Sequence, residues 1–384
     1  MSKIEGMLKR LCPNGVERKP LVQAVSVKRG VRVVKQQLAE TGVYPVYQNC
    51  LTAMGYYAES NCSGDTAFVI AAGAAGSVGY CDVDFWAADD CYYMVAPKEI
   101  NNKFLYYTMK SKEPLLLSKV RKASVPRLAR DVVESMEIPL PPRPVQDEIV
   151  KALDAMDAVV KSLEEERAAR QEQFEALRER MINFDESVER RQLAEVFDLR
   201  NGYTPSKANS SFWDGGTIPW FRMEDIRENG RILSDAILHV TDRSIKGELF
   251  SADSLIVSTS ATIGEHAWIT VPALANQRFT NLTISTEYKS RLLMPFVFYL
   301  GFAIDDYCRK NTCKGNFASV DMGKFKQFPI PLPSLSVQKK IAAQLDAFAA
   351  VVAALDEEIA ARREQFAGWL ERLMTFDARE VAVA

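Results

Sequence analysis

Ile138-Pro139-Leu140-Pro141, followed by Val145-Gln146, recurs as Ile330-Pro331-Leu332-Pro333, followed by Val337-Gln338. The offset of 192 residues holds without a gap through Leu153-Asp154-Ala155 and Leu345-Asp346-Ala347, and through Glu172-Gln173-Phe174 and Glu364-Gln365-Phe366, to Phe184-Asp185 and Phe376-Asp377. About half of the aligned positions are identical, a duplication that chance does not produce over such a length. The chain therefore reads as globular segment, repeat, globular segment, repeat.

Each repeat opens on prolines, Pro139, Pro141, Pro142 and Pro144 in the first and Pro331 and Pro333 in the second. They force an extended entry, because proline lacks the N–H a helix interior needs. Beyond the prolines the apolar spacing is helical. The first seam runs Ile149, Leu153, Met156, Val160, Leu163, Arg167, Arg170, Phe174, Leu177, Met181, Phe184. The second runs Ile341, Leu345, Phe348, Val352, Leu355, Ile359, Arg362, Phe366, Trp369, Leu373, Phe376. Steps of four and three sustained for about five heptads are the mark of a coiled coil. Each seam spans about 54 Å at the helical rise, longer than a small domain, so the two helices are expected to pack on each other. The seam arginines Arg167, Arg170 and Arg362 read as register markers or as openings toward a partner, since a buried unpaired charge is costly.

The globular segments are strand-rich. Tyr44–Tyr47, Ala67–Ile70, Ser77–Tyr80 and Cys91–Val95 read as strands in the first, and Leu255–Ser258, Ala267–Thr270 and Asn281–Ile284 in the second. A helix is expected over Lys103–Met109 and another over Met294–Ile304, each just before a repeat. At 384 residues the chain exceeds one ordinary core. Its N-terminus lacks an apolar secretory core, and its longest apolar run, Leu292–Ile304, is broken by Pro295 and Gly301 and too short to span a membrane. Seven scattered cysteines without a CxxC pair fit a reducing compartment, and with only His239 and His266 a zinc site is not expected. Both histidines read as structural. Gly73, Gly76 and Gly79 have the wrong spacing for a dinucleotide fingerprint and read as turns. Net charge is −2, but residues 1–137 carry +4 and residues 138–191 carry −4, so only local basic patches suit a phosphate backbone.

With these phrases in place the whole chain resembles a type I restriction–modification specificity subunit. The family alternates two target-recognition domains with two helical regions opened by the phrase seen at Ile138–Gln146 and Ile330–Gln338. Family-like runs are Leu193-Ala194-Glu195-Val196, Asn201–Ser206, Phe212-Trp213, Ile218-Pro219-Trp220, Ala261–Gly264 and Asn276-Gln277-Arg278-Phe279, and in a different style Tyr44–Asn49 and Gly73–Val78. The resemblance implies an α+β protein with recognition domains at 1–141 and 187–333 and helical regions at 142–186 and 334–384. The helices would form an antiparallel coiled-coil stalk with a pseudo-two-fold axis. It implies a reader of a bipartite double-stranded DNA target, two modification (methyltransferase) subunits on the stalk, and restriction (motor–nuclease) subunits beyond. S-adenosylmethionine, ATP and magnesium are expected only on those partners, with no cofactor or metal in this chain. The location expected is cytoplasmic, with no membrane contact.

Neither a methyltransferase NPPY-like motif nor a Walker A loop occurs, so the chain is expected to be non-catalytic. Candidate DNA contacts are Lys28, Arg29, Arg32 and Lys35, then Lys119, Arg121, Lys122, Ser124 and Arg127. In the second globular segment they are Tyr203, Ser206, Lys207, Arg222, Arg278, Lys310, Lys314 and Asn316. The offset sets Lys122 opposite Lys314 and Ser124 opposite Asn316, which makes this pair of loops the leading candidate. Glu164-Glu165-Glu166 and Asp356-Glu357-Glu358 would repel phosphate and suit a protein partner. The alternatives are a coiled-coil scaffold without DNA binding, and an enzyme with an unrecognised centre.

Overall fold

A computed structural model describes residues 2–313 and 318–376. The chain divides into two compact units, Met1–Glu165 with Asp356–Ala384, and Glu166–Leu355. Each takes in one globular segment and part of each long helix, Arg143–Ile182 and Leu335–Thr375.

The first unit contains β1 (Arg18–Pro20), β2 (Ser26–Arg29), β3 (Tyr44–Tyr47), β4 (Tyr56–Tyr57), β5 (Thr66–Ile70), β6 (Val78–Cys81), β7 (Trp86–Ala87), β8 (Cys91–Val95) and β9 (Glu137–Pro139). The order β2-β8-β5-β6 makes an antiparallel sheet, β4-β3-β7 a smaller mixed one, and β1 pairs with β9. β5 is buried throughout, and its alternation explains why. Ala67 and Val69 face the cluster holding Leu105 and Met109 of the helix Asn102–Ser111. Phe68 and Ile70 face Phe85, Cys81 and Cys91 on the other side.

The second unit contains β10 (Arg190–Gln192), β11 (Phe197–Asn201), β12 (Ile218–Phe221), β13 (Ile232–Leu233), β14 (His239–Val240), β15 (Ser254–Ser258), β16 (His266–Ile269), β17 (Leu274–Ala275), β18 (Phe279–Ile284), β19 (Thr312–Cys313), β20 (Ser319–Val320) and β21 (Pro329–Pro331). Its sheets run β11-β18-β15-β16-β13 and β14-β12-β17, with β10 paired to β21 and β19 to β20. β15 is sandwiched as β5 is. Leu255 and Val257 join the cluster of the helix Met294–Lys310, and Ile256 joins Phe221, Phe250 and Phe279. The strands and helices expected from sequence are all present, and the two unlike globular segments share one plan. Among the described residues, the large sheet of the second unit adds β13, which has no counterpart in the large sheet of the first.

The Pro-rich phrases are strands before they are helices. Ile138 pairs with Lys19 and Ile330 with Arg191, both isoleucines fully buried. The glutamine that comes after each phrase ties its helix to its unit. The Gln146 Nε2 donates to Pro141 O at 2.7 Å and its Oε1 accepts from Asn101 N at 2.8 Å. Gln338 repeats both, to Pro333 O at 2.8 Å and from Leu293 N at 2.9 Å. Tyr107 and Tyr299 then donate to Asp154 and Asp346 Oδ1, each at 2.6 Å. Burial, and next the accepting carboxylate, push both phenols up from their ordinary value.

Within each unit the two long helices pack antiparallel. In the first, Val145, Ile149 and Leu153 cluster with Leu370, Leu373 and Met374, while Glu164 accepts from Arg363 Nη2 at 2.6 Å. In the second, Phe174 stacks on Phe348 at 5.9 Å, and Leu177 and Met181 join Ile341 and Leu345. Among the described residues, no apolar member of either seam is exposed. Ile149, Leu153, Val160, Phe174, Ile341, Leu345, Val352, Ile359 and Leu373 are buried, and Met156, Leu163, Leu177, Met181, Phe348, Leu355, Phe366 and Trp369 are half-buried. The helices also pack on their own globular segments, with Phe104 and Tyr107 in one cluster beside Ile149 and Leu373. Arg170 and Arg362 pair along their own helices with Glu166 and Glu358, so neither is a buried lone charge. The N-terminal helix Ser2–Leu11, not foreseen from sequence, seats Ile4 among Val145, Ile149 and Leu370, with Lys3 bonded to Glu148 at 2.6 Å.

Candidate nucleic-acid interface

The residues that flank the leading loop pair antiparallel in both units. In the first, Arg121 and Arg127 exchange backbone bonds of 2.8 and 3.2 Å, which closes Lys122–Pro126 into a loop exposed throughout. The returning strand docks on the turn after β5: Leu128 N donates to Ala71 O at 2.8 Å and Gly73 N to Pro126 O at 3.2 Å. Gly73 has φ +83, and a Cβ there would lie 2.7 Å from Asn49 O, so the turn after β3 is drawn to the same place. Only glycine accepts both constraints at once.

The second unit rebuilds this from other residues. Cys313 pairs with Ser319, Val320 N donates to Thr259 O at 2.8 Å, and Ala261 N to Ala318 O at 3.1 Å. Ala261 stands where Gly73 stands and keeps its left-handed backbone, φ +65. A non-glycine residue held there stores strain, a feature that concentrates at functional loops. Beside it, Thr259 N donates to Arg278 O at 2.9 Å, and the exposed Gln277 accepts from the Thr204 hydroxyl.

The structure thus gathers Arg121, Lys122, Ser124 and Arg127 on one hairpin, all exposed, with Lys119 exposed at its base. Lys28 and Arg29 lie on the edge strand β2, exposed, with Arg32 and Lys35 exposed just beyond. Arg29 Nε donates to Asp89 O at 2.7 Å, which bends it toward the β7–β8 turn. In the second unit Ser206, Lys207 and Arg278 are exposed. Lys314 and Asn316 lie outside the described residues. Three further candidates have other surroundings. Tyr203 has its hydroxyl engaged, donating to Ser244 O at 3.0 Å and accepting from Lys246 N at 2.8 Å, so it braces a loop. Arg222 is half-buried, its Nε 3.8 Å from Glu224 Oε2. Lys310 lines a groove of about 360 Å³ with Arg178, Glu179, Asp306 and Tyr307 at the end of its helix. Sequence reasoning misses the Thr204–Gln277 pair, although Gln277 lies in one of the family-like phrases; its partner is 73 residues away and invisible to local reading.

His266 is structural, as expected. Its Nδ1 is 2.6 Å from Asp305 Oδ2, both fully buried, and Arg231 Nη1 lies 3.3 Å from the same oxygen. The ring fills the space above Gly301, where any Cβ would meet it at 2.6 Å. In the first unit the matching acid, Glu113, accepts instead from Val78 N and Lys110 Nζ, so one acid joins helix to sheet in both. Burial pushes the Cys62 and Cys308 thiols up to about 12, which keeps them neutral. Among the described residues no group of His, Cys, Asp and Glu has the makings of a metal site, and no helix is long and apolar enough to cross a membrane.

Known proteins resemble this chain in sequence and in fold. The family described as type I restriction modification DNA specificity domain matches residues 13–172 and 185–362. The EcoprrI type I restriction enzyme specificity subunit of Escherichia coli is 48% identical over 206 residues, 50% of this chain and 51% of that protein, so this match spans about half the relative's length. The EcoR124I/EcoR124II specificity subunit of Escherichia coli is 29% identical over 325 residues, 78% of each chain. Among solved structures, the type I restriction–modification S subunit of M. genitalium superposes with a TM-score of 0.56 at 15% identity, covering 94% of this chain and 97% of that one. A chain from a structure addressing complex assembly and conformational transition of the type I R-M system reaches 0.61 at 16% identity, covering 95% and 98%. At such identities these two speak for the fold.

Proposed function

Because the chain belongs to the type I restriction modification DNA specificity family, we propose that it reads a bipartite duplex target, one half-site per unit, and assembles the enzyme around that target. The observation that carries this reading is the matched pair of hairpin-and-turn surfaces, built on unlike sequences and attached to gap-free copies of one helix. Unlike surfaces suit unlike half-sites, and like helices suit two copies of one partner.

The exposed cations Lys28, Arg32, Lys35, Lys119, Arg121, Lys122 and Arg127 hold backbone phosphates and set orientation. Base edges are read by polar groups on the same loops, Ser124 in the first unit and Ser206, Gln277 and Arg278 in the second; glutamine and arginine have the two-point geometry for adenine and guanine. The long helices set half-site spacing. They also carry two modification subunits, for which the acidic runs at 164–166 and 356–358 are docking surfaces, with restriction subunits added beyond. Catalysis, with S-adenosylmethionine, ATP and magnesium, belongs to those partners, and the complex works in the cytoplasm.

The test is to exchange residues 192–329 for another family member's and map methylated adenines in cells expressing the complex. One half of the motif should change and the other should persist. If both halves change, or neither, one unit per half-site is wrong. A complex with no salt-dependent duplex affinity would leave a protein scaffold as the better account.

A further inference from the structure

We infer that the two DNA-facing surfaces are electrostatically unequal: the first unit anchors the duplex through phosphates, and the second engages its half-site with few charges. This rests on the DNA reading above and goes beyond it. Strand register makes the comparison position by position. Lys28 lies opposite Tyr93, which lies opposite Phe68; Arg200 lies opposite Asn281, which lies opposite Ile256. Arg200 therefore stands where Lys28 stands, and Asn201 where Arg29 stands. One residue on, Gly30 N and Gly202 N bond to Cys91 O and Phe279 O, and the next residues, Val31 and Tyr203, to Ala87 O and Ala275 O. Running on in step, Arg32 corresponds to Thr204, and Lys35 to Lys207.

The hairpins align through their closing pairs, Arg121 with Arg127 and Cys313 with Ser319. Lys119 then corresponds to Asn311, and by sequence Lys122 to Lys314. Of the eight candidate cations in the first unit, only three thus have a charged counterpart in the second, Arg200, Lys207 and Lys314, and Arg200 is half-buried with its guanidinium 4.6 Å above the Phe250 ring; in the other direction, the second unit's exposed Arg278 stands where the first has Asp90. Among the described residues, Lys28, Arg32, Lys35, Lys119, Arg121, Lys122 and Arg127 are exposed and make no ion pair. A cluster of unpaired like charges repels itself and is stabilised by a polyanion. Its counterpart offers Thr204, Ser206 and Gln277, groups that discriminate bases but release no counterions, beside the exposed cations Lys207 and Arg278.

The experiment measures duplex binding by the assembled complex with its modification subunits across a potassium chloride series. Replacing Arg121, Lys122 and Arg127 together by Ala should make the slope of log K against log salt shallower by about 2–3, since each phosphate contact contributes about 0.9. Between 50 and 200 mM salt the wild type then loses about 40-fold more affinity than the variant. Lys314→Ala, the one charge at the positions that match these three, should change the slope by less than about 1. The charge-keeping pair Arg121→Lys with Arg127→Lys should hold the wild-type slope, and the methylated motif should be unchanged in every variant. The inference is overturned if the triple variant shifts the slope no more than Lys314→Ala does, or if the lysine pair loses it too, which would mark damage to shape. A wild-type complex without salt-dependent affinity sinks the DNA reading itself, an outcome separate from these.

Discussion

Gln338→Met isolates the tie between the second long helix and its globular unit. The substitution keeps volume and helix propensity close to those of glutamine. It removes three hydrogen bonds at once: Leu293 N to Oε1 at 2.9 Å, and Nε2 to Pro333 O and Arg291 O, both at 2.8 Å. Gln338 is wholly buried, so water cannot replace the amide. A buried polar group left without a partner costs about 1–3 kcal/mol, and three such groups at the lower bound give about 3 kcal/mol. That is over 100-fold in the equilibrium for opening this corner. Hydrogen exchange on the full chain reads it directly, because Leu293 carries one of the orphaned amides. Its protection should fall by about that factor, along with the first turn of the helix Met294–Lys310, while Asn101, held by Gln146 in the other unit, should be unaffected. A loss below about 1 kcal/mol, or an equal loss at Asn101, would refute the reasoning.

Tyr299→Phe removes the 2.6 Å bond to Asp346 and should cost about 1–2 kcal/mol in urea unfolding near neutral pH. Because the phenol's folded value is raised, its stabilisation is complete below the ordinary value of 10.0 and declines as pH rises beyond it, so the wild-type advantage should shrink in strong alkali. Gly202→Ala would place a Cβ 2.1 Å from Asn276 O and should lower the melting temperature sharply, whereas Ala261→Gly relieves a left-handed alanine and should stabilise by up to about 1 kcal/mol. Iodoacetamide at pH 8 should label the exposed Cys313 at least tenfold faster than Cys308, whose buried thiol is pushed up to about 12; equal rates by mass spectrometry would contradict the packing.

The rods were legible because a heptad reports burial through spacing alone, and every apolar residue of the predicted seams is at least half-buried. The strands were legible for a similar reason, since β5 and β15 are short apolar runs between turn residues. The kinship of the two globular segments was not. Their equivalence lies in hydrogen-bond register, and Gly73 and Ala261, or Glu113 and Asp305, occupy one place with different side chains. The candidate site was half legible. Charge and offset located the hairpin, but local reading could not see that Tyr203 closes on residues 244–246 or that Thr204 meets Gln277. The glutamine of the repeated phrase stood out as a letter; its work depends on a backbone amide and a carbonyl some 45 residues upstream.

The pattern of insertions has a physical cause that supports the functional reading. From Ile138 and Ile330 onward the copies stay in step at 192 residues with no gap. Within the heads the equivalences change offset: β5 and β8 match β15 and β18 at 188, and β2 matches β11 at 172. The extra residues of the second unit fall in connections, including the stretch that holds the helix Met223–Asn229 and β13. Lengthening a surface loop costs little, since closure entropy rises only with the logarithm of length. One residue added to a coiled-coil helix rotates everything after it by about 100° and takes the seam off its partner. The heads were therefore free to diverge into two different surfaces, while packing alone held the rods at one length. A protein that must keep a set distance between two changeable readers needs that division between tolerant and intolerant parts, and here it follows from the mechanics of loops and helices before any selection on DNA is invoked.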